Sequence, residues 1–298
     1  MANRWHELDV GAYALLTGSN VGALVVDGRA LMIDTGLDES TVKKVLRELD
    51  ALEVELSALI ITHGHADHFG GAAWLVERAN VSVYAPPLED AFVAHPMLEP
   101  LFLYGGAAPI AELQDKFTLA EVVNAPVQPL LPGAQEICSF PLEVIPLPGH
   151  APAQIGIGWK RVLYSGDAVF PTSTLERHPI LFCHDLDAWL ETLACLPALD
   201  YDWFVPGHGK PVQDVAPLAA ANAARLEEIR SLVWEALEVP CSSQDVLRAV
   251  AAHYGVEFLA PQFFLLSLTT IRAALTSLQR QKEARIVMEE NHLRWERT

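Results

Sequence analysis

Several things are scarce in this 298-residue chain. Cysteine is one of them: Cys138, Cys183, Cys195 and Cys241 lie far apart, and none forms a C-x-x-C pair. Cysteines scattered in this way are expected to be reduced core residues. Long apolar runs are absent, since none reaches the ~18 residues that a membrane-spanning helix needs. The opening MANRWHELDVGAY lacks the apolar stretch behind a basic start that marks a secretion signal. A soluble, cytoplasmic protein with no membrane partner is therefore expected. Basic residues are few as well, with 20 Lys and Arg against 38 Asp and Glu and a formal net charge of −18. Such a surface repels phosphate backbones and anionic membranes, which weighs against nucleic acid as a partner. It still admits an anionic small molecule, because bound metal ions invert a local field. The deficit is uneven: residues 1–210 hold eleven basic and 27 acidic side chains, whereas residues 211–298 hold nine and eleven.

What is plentiful is apolar surface. Residues of that class make up 51% of the chain, enough for a sizeable core in one large domain or a large domain with a small one. The runs Asn20–Val26 and Arg29–Asp34 flank Asp27-Gly28, a strong hairpin signal. Ser40 precedes a stretch whose Val42, Val45, Leu46 and Leu49 share one helix face. Leu56–Thr62 is nearly all apolar, as a strand covered on both faces should be. Val81–Ala85 follows as another strand, so the chain alternates in the α/β manner. Residues 88–136 are rich in Pro and Gly and are expected to be a partly helical insertion, either a lid over a site or a plain packing excursion. Strands return at Leu142–Leu147, Ile155–Trp159, Arg161–Tyr164 and Trp203–Val205, with a helix over Asp187–Leu196. Beyond Pro211 the pattern turns helical. Pro217–Glu238 is one helix, Ser242 and Asp245 form a capping box for a second that ends at Gly255, and Pro261 opens a third that runs to about Gln281. A hairpin around Glu290-Asn291 closes the chain. Three helices and a hairpin resemble a winged-helix module, so the expected division is 1–212 and 213–298.

The chemistry concentrates in THGHADHFGG, residues 62–71. His63, His65, Asp67 and His68 fall within six residues, between a buried strand and a helix. Imidazoles with a carboxylate suit zinc, iron or manganese. Three more candidates follow strands and neighbour glycine: His150 in PLPGHAPAQ, Asp167 in YSGDAVF and His208 in VPGHGKP. In α/β sheets such sites collect beyond the carboxyl ends of strands.

The order H-x-H-x-D-H, G-H, G-D, G-H resembles the metallo-β-lactamase superfamily over about residues 10–212. The resemblance implies an αββα sandwich, an α/β fold with the metals at one edge. It implies that His63, His65 and His150 hold one divalent ion, Asp67, His68 and His208 a second, and that Asp167 bridges them. Asp34, in IDTG, would support the site from behind. Two ions, zinc first with iron or manganese as alternatives, would share a hydroxide that cleaves an ester, thioester or lactone of a small molecule, with Asp67 steering it. The alternatives are a nuclease or phosphodiesterase and a one-iron persulfide dioxygenase. GDAVF is similar to a glyoxalase II segment, but PTSTLER stands where those enzymes have glycine-cysteine-arginine. Phe170 stands where acyl-homoserine-lactone lactonases often have tyrosine. The helical module is expected to cover the metal edge or to form a homodimer interface.

Overall fold

The computed structural model describes residues 5–298. A seven-stranded sheet forms from β1 (Trp5–Asp9), β2 (Ala12–Leu15), β3 (Val21–Val26), β4 (Arg29–Ile33), β5 (Glu55–Ile60), β6 (Ser82–Ala85) and β7 (Val127–Pro129), in that spatial order. The first four pair antiparallel; from β4 to β7 the pairing is parallel. Asp27 and Gly28 both take positive φ, as the two-residue turn between β3 and β4 requires. A five-stranded sheet holds β8 (Gly133–Ile137), β9 (Phe140–Pro146), β10 (Ile155–Trp159), β11 (Val162–Gly166) and β12 (Trp203–Pro206), in the order β12-β11-β10-β9-β8.

Side-chain alternation decides how the sheets stack. In β4, Ala30 and Met32 face one apolar cluster, while Leu31 and Ile33 face another. In β11, Val162 and Tyr164 share the cluster of Leu31, and Leu163 points the opposite way. The shared cluster lies between the two sheets and includes Leu24, Ile60, Phe140, Leu142, Val144 and Ile157. Strands buried on both faces need a helical layer on each outer side. On the first sheet that layer is α1 (Glu39–Ala51), α2 (Ala66–Phe69) and α3 (Ala72–Val76), packed through Val42, Val45, Leu49, Phe69 and Leu75. Two short helices, α4 (Glu89–Ala94) and α5 (Leu98–Leu103), follow β6. On the second sheet the layer is α6 (Thr172–Arg177) and α7 (Leu186–Cys195), joined by α8 (Ala216–Ala236), α9 (Ser243–Tyr254) and α10 (Pro261–Arg280). The result is the expected αββα sandwich with C-terminal helices. A hairpin of β13 (Ala284–Glu289) and β14 (His292–Arg297) turns at Glu290 and Asn291, both of positive φ.

Two local expectations shift. The cap of α1 is Asp38, whose carboxylate accepts from the backbone N–H of Ser40, so the helix starts earlier than Ser40 suggested. The stretch 88–136 ends in sheet: β7 and most of β8 are edge strands, and Pro129 and Gly133 hid their periodicity. The Ser242–Asp245 capping box is present as expected, and Gly255 caps the end of α9 in the left-handed region. The C-terminal helices do not form a core of their own. Leu226, Ile229, Val233, Leu247, Leu268 and Ile271 share one cluster with Phe170, Leu175, Trp189 and Leu193. No helix among the described residues is long and apolar enough to cross a membrane. All four cysteines are free.

Candidate metal centre

Every residue singled out in the sequence meets at one edge of the sandwich. Asp34 follows β4, His63 follows β5, and His65, Asp67 and His68 belong to the turn into and along α2. From the second sheet come His150 after β9, Asp167 after β11 and His208 after β12. Three groups have ligand atoms within 4.8 Å of one another: His63, His65 and His150; His63, His68 and Asp167; and Asp67, His68 and His208. Asp167 touches both sides, with Oδ1 3.3 Å from His68 Nε2 and Oδ2 3.5 Å from His150 Nε2 and 3.3 Å from His208 Nε2.

Each ring is held from behind by a partner that fixes which nitrogen faces inward. Asp34 Oδ2 takes His68 Nδ1 at 2.9 Å. The same carboxylate accepts from the Thr62 backbone N–H and hydroxyl, both at 2.8 Å, and Thr62 Oγ1 lies 3.1 Å from His63 Nδ1. His150 Nδ1 donates to the Phe182 carbonyl at 3.0 Å, and His208 Nδ1 donates to the Gly18 carbonyl at 2.5 Å. These four rings therefore aim Nε2 at the centre, whereas His65 aims Nδ1, 3.0 Å from His150 Nε2. Asp67 Oδ2 accepts from the Ser19 hydroxyl at 2.7 Å. Backbone approach is tight here: a Cβ on Gly207 would lie 2.0 Å from Asp167 Oδ1 and 2.8 Å from His68 Cε1.

Whether a cation fits can be judged from the polar atoms left without partners. Buried donors and acceptors are normally satisfied. Here His63 Nε2, His68 Nε2 and Asp167 Oδ1 are buried without an aligned hydrogen bond, and all three point at the same place. Electrostatics adds an asymmetry. Burial and neighbouring imidazoles push His63 well below the usual histidine range. Burial and His150 take His65 to about 3, and burial takes His150 to about 4. These three are neutral imidazoles with lone pairs to offer. For His68, burial is outweighed by Asp167, Asp67 and Asp34, which hold it well above its ordinary value. His208 is likewise raised to about 9, the pull of Asp167 and Asp67 overcoming burial. Asp167 resists burial through His208 and His68 and stays well below the carboxylate range. A cation in the second group has to displace protons that one in the first does not.

Other residues at the site carry no motif. Glu89, 1% exposed, accepts from the Gly64 N–H at 2.9 Å and from the Ala153 N–H at 2.8 Å, so it joins the loop of His63 and His65 to that of His150. Glu99 accepts from the Ala66 N–H at 3.2 Å, and burial holds its carboxyl well above the usual range. Phe92, Phe102 and Phe182 line a narrow slot beside His65. Phe170 stacks on His208 with ring centres 5.6 Å apart, and Asn222 of α8 pins the Phe170 backbone through its N–H and C=O. Glu89 and Glu99 lie in the irregular stretch where sequence periodicity gives nothing, and Asn222 is 52 residues from its partner.

The chain matches the profile of the metallo-beta-lactamase superfamily over residues 15–208. It is 28% identical over 143 residues to the hydroxyacylglutathione hydrolase GloC of Haemophilus influenzae, covering 47% of this chain and 61% of that one. It is 28% identical to a hydroxyacylglutathione hydrolase of Methylobacillus flagellatus, covering 48% of this chain and 44% of the relative. The chain thus spans only about half of the length of these curated relatives. Among solved structures, a beta-lactamase domain protein from Burkholderia ambifaria superposes with a TM-score of 0.75 at 22% identity, covering 100% of this chain and 94% of that one. A metallo-beta-lactamase family protein of Thermus thermophilus gives 0.74 at 20%, covering 98% and 100%. At such identities these two likenesses speak for the fold.

Proposed function

The chain belongs to the metallo-beta-lactamase superfamily, and from that premise we propose that it is a metal-dependent hydrolase that cleaves an ester, thioester or lactone of a small molecule. The observation that carries the proposal is the convergence of His63 Nε2, His68 Nε2 and Asp167 Oδ1, buried without an aligned hydrogen bond, at the meeting point of both sheets. His63, His65 and His150 would hold one divalent ion, Asp67, His68 and His208 another, with Asp167 between them; zinc suits this mixture of imidazole and carboxylate. Ions held there supply Lewis acidity, enough to bring the pKa of water from 15.7 to roughly 7.

The protein's own groups do the rest. Asp34 and the Phe182 and Gly18 carbonyls hold the rings so that no orienting cost falls in the reaction. Asp67 is the carboxylate of the centre with a face to solvent, its side chain 27% exposed, and Ser19 fixes its Oδ2. In the proposal Asp67 takes the proton released as water adds to the carbonyl. It returns that proton to the sulfur or oxygen that leaves as the bond to the acyl carbon breaks. The kinship with hydroxyacylglutathione hydrolases supports a thioester, and the net charge of −18 supports a small substrate over nucleic acid.

The test is elemental analysis of protein purified without chelator, paired with a thioester, lactone and single-stranded RNA screen. About two ions per chain, with thioester or lactone hydrolysis lost on chelation and restored by zinc, is the expected result. One iron per chain without hydrolysis, or cleavage confined to RNA, would overturn the proposal.

A further inference from the structure

A groove lies between the segment that follows α6 and the loop that enters α10. Ile180, Phe182, Phe258, Phe263 and Leu266 form its walls, and Leu259, 87% exposed, stands at its lip. Its volume of about 490 Å³ is that of a small-molecule pocket. Arg177, His178 and Glu257 supply most of its polar lining.

The groove adjoins the metal centre, sharing Phe182 and Leu266 with the slot beside His65. The chain leaves the centre at Phe170, stacked on His208, forms α6, and returns at Phe182. The Phe182 ring sits edge-on to His65 and His150, with centroids 4.9 and 5.6 Å away, and its carbonyl holds His150 Nδ1. The wall is fixed from behind: Ser267 and Thr270 of α10 donate to the carbonyls of Ile180 and Leu181 at 3.4 and 2.5 Å. Phe182 therefore faces the ligands on one side and the groove on the other.

We propose that this groove is the acyl subsite of the enzyme and takes the unbranched aliphatic chain of a thioester or ester whose carbonyl sits at the metal centre. The proposal rests on the hydrolase reading above. An apolar wall favours a chain that stays uncharged throughout the reaction, because burying an unpaired charge is costly. Hydrolysis meets that condition, since the new carboxylate appears at the metal end and the tail gains no charge. A protein partner fits poorly, because a stable interface buries ~1,200 Å² or more and this groove is a slot of small-molecule size.

The test uses zinc-loaded enzyme and N-acetylcysteamine thioesters from acetyl to decanoyl, below their critical micelle concentrations. Burial of each methylene should raise kcat/KM by about fourfold until the groove is full. In Leu259→Asp, at an exposed position that leaves the fold intact, the increment per methylene should fall close to onefold. Decanoate binding, followed by calorimetry, should weaken at least tenfold in the same variant. Hydrolysis with no dependence on chain length in the wild-type enzyme overturns the subsite and leaves the hydrolase reading standing. Decanoate binding that Leu259→Asp weakens, without hydrolysis of any thioester or of the matching esters and lactones, keeps the groove as an aliphatic-chain site and sinks the hydrolase reading. Neither binding nor hydrolysis removes both.

Discussion

Glu89 shows how much a single carboxylate can decide. Its two oxygens accept from the N–H groups of Gly64 and Ala153, which sit in the two loops that carry His63, His65 and His150. Glu89→Ala leaves one buried donor, the Gly64 N–H, and one part-buried donor, the Ala153 N–H, unpaired, at a cost of about 1–3 kcal/mol for the buried one and less for the other. The variant should melt several degrees lower and, if two ions are bound as proposed, lose the one held by His63, His65 and His150 more readily, which a chelator titration followed by elemental analysis will resolve. Glu89→Gln, with one acceptor oxygen, should fall between the two. An unchanged Tm and unchanged retention of both ions in Glu89→Ala would show that the clip is dispensable. Such residues were not legible in the sequence. His63, His65, Asp67 and His68 announce themselves because four donors crowd into six positions, and His150, Asp167 and His208 because each follows a strand beside glycine. Glu89 and Asn222 act through backbone groups far away in the chain, and a bond to a backbone leaves no residue-type signature at the other end.

At the scale of elements, α7 and α10 are clasped by charge. Arg280 Nη1 and Nη2 reach Asp185 at 2.9 and 2.8 Å, and Nη1 reaches Asp187 at 3.0 Å. Asp185 also caps α7, and its backbone N–H, with that of His184, bonds the Gly149 carbonyl beside His150. The hydrogen bond from Arg280 is the main cause that holds the Asp185 carboxyl below its ordinary value. A lowered carboxylate contributes stability that is full above the unfolded pKa of ~3.9 and lost as pH falls through the lower folded value. Arg280→Ala should therefore lower the Tm at pH 7, with the gap to wild type narrowing as the pH falls below ~3.9. The pair is half exposed and screened, so the effect is about 1 kcal/mol or less, or roughly 2–4 °C. A Tm gap that stays constant or widens as the pH falls from 7 through the acid range would assign the loss to packing. The helices themselves were readable from periodicity and caps, and so was the hairpin turn at Asp27-Gly28. The edge strands β7 and β8 were not, because a strand of three to five residues broken by proline or glycine has no period to detect.

On the scale of the whole molecule, the four layers were legible only through the resemblance, since alternation tells which faces are buried but not what buries them. The C-terminal helices make the point. Their apolar faces share one cluster with α6 and α7, the helices that lie against the second sheet. A chain ending at residue 212 would strip Leu226, Ile229, Val233 and Ile271 from the cluster around Trp189 and Leu193. It should be insoluble, or bind a hydrophobic dye strongly; a monomeric, soluble, metal-binding fragment would show that the first 212 residues stand alone.

The candidate ligands come from both sheets, four side chains from the turn after β5 and three from the strand ends of the second sheet. A nascent chain whose halves have not yet docked offers a passing ion only a fragment of its shell. If the site holds metal as proposed, capture would come late in assembly, and an ion once bound would brace the seam that the apolar cluster between the sheets already closes.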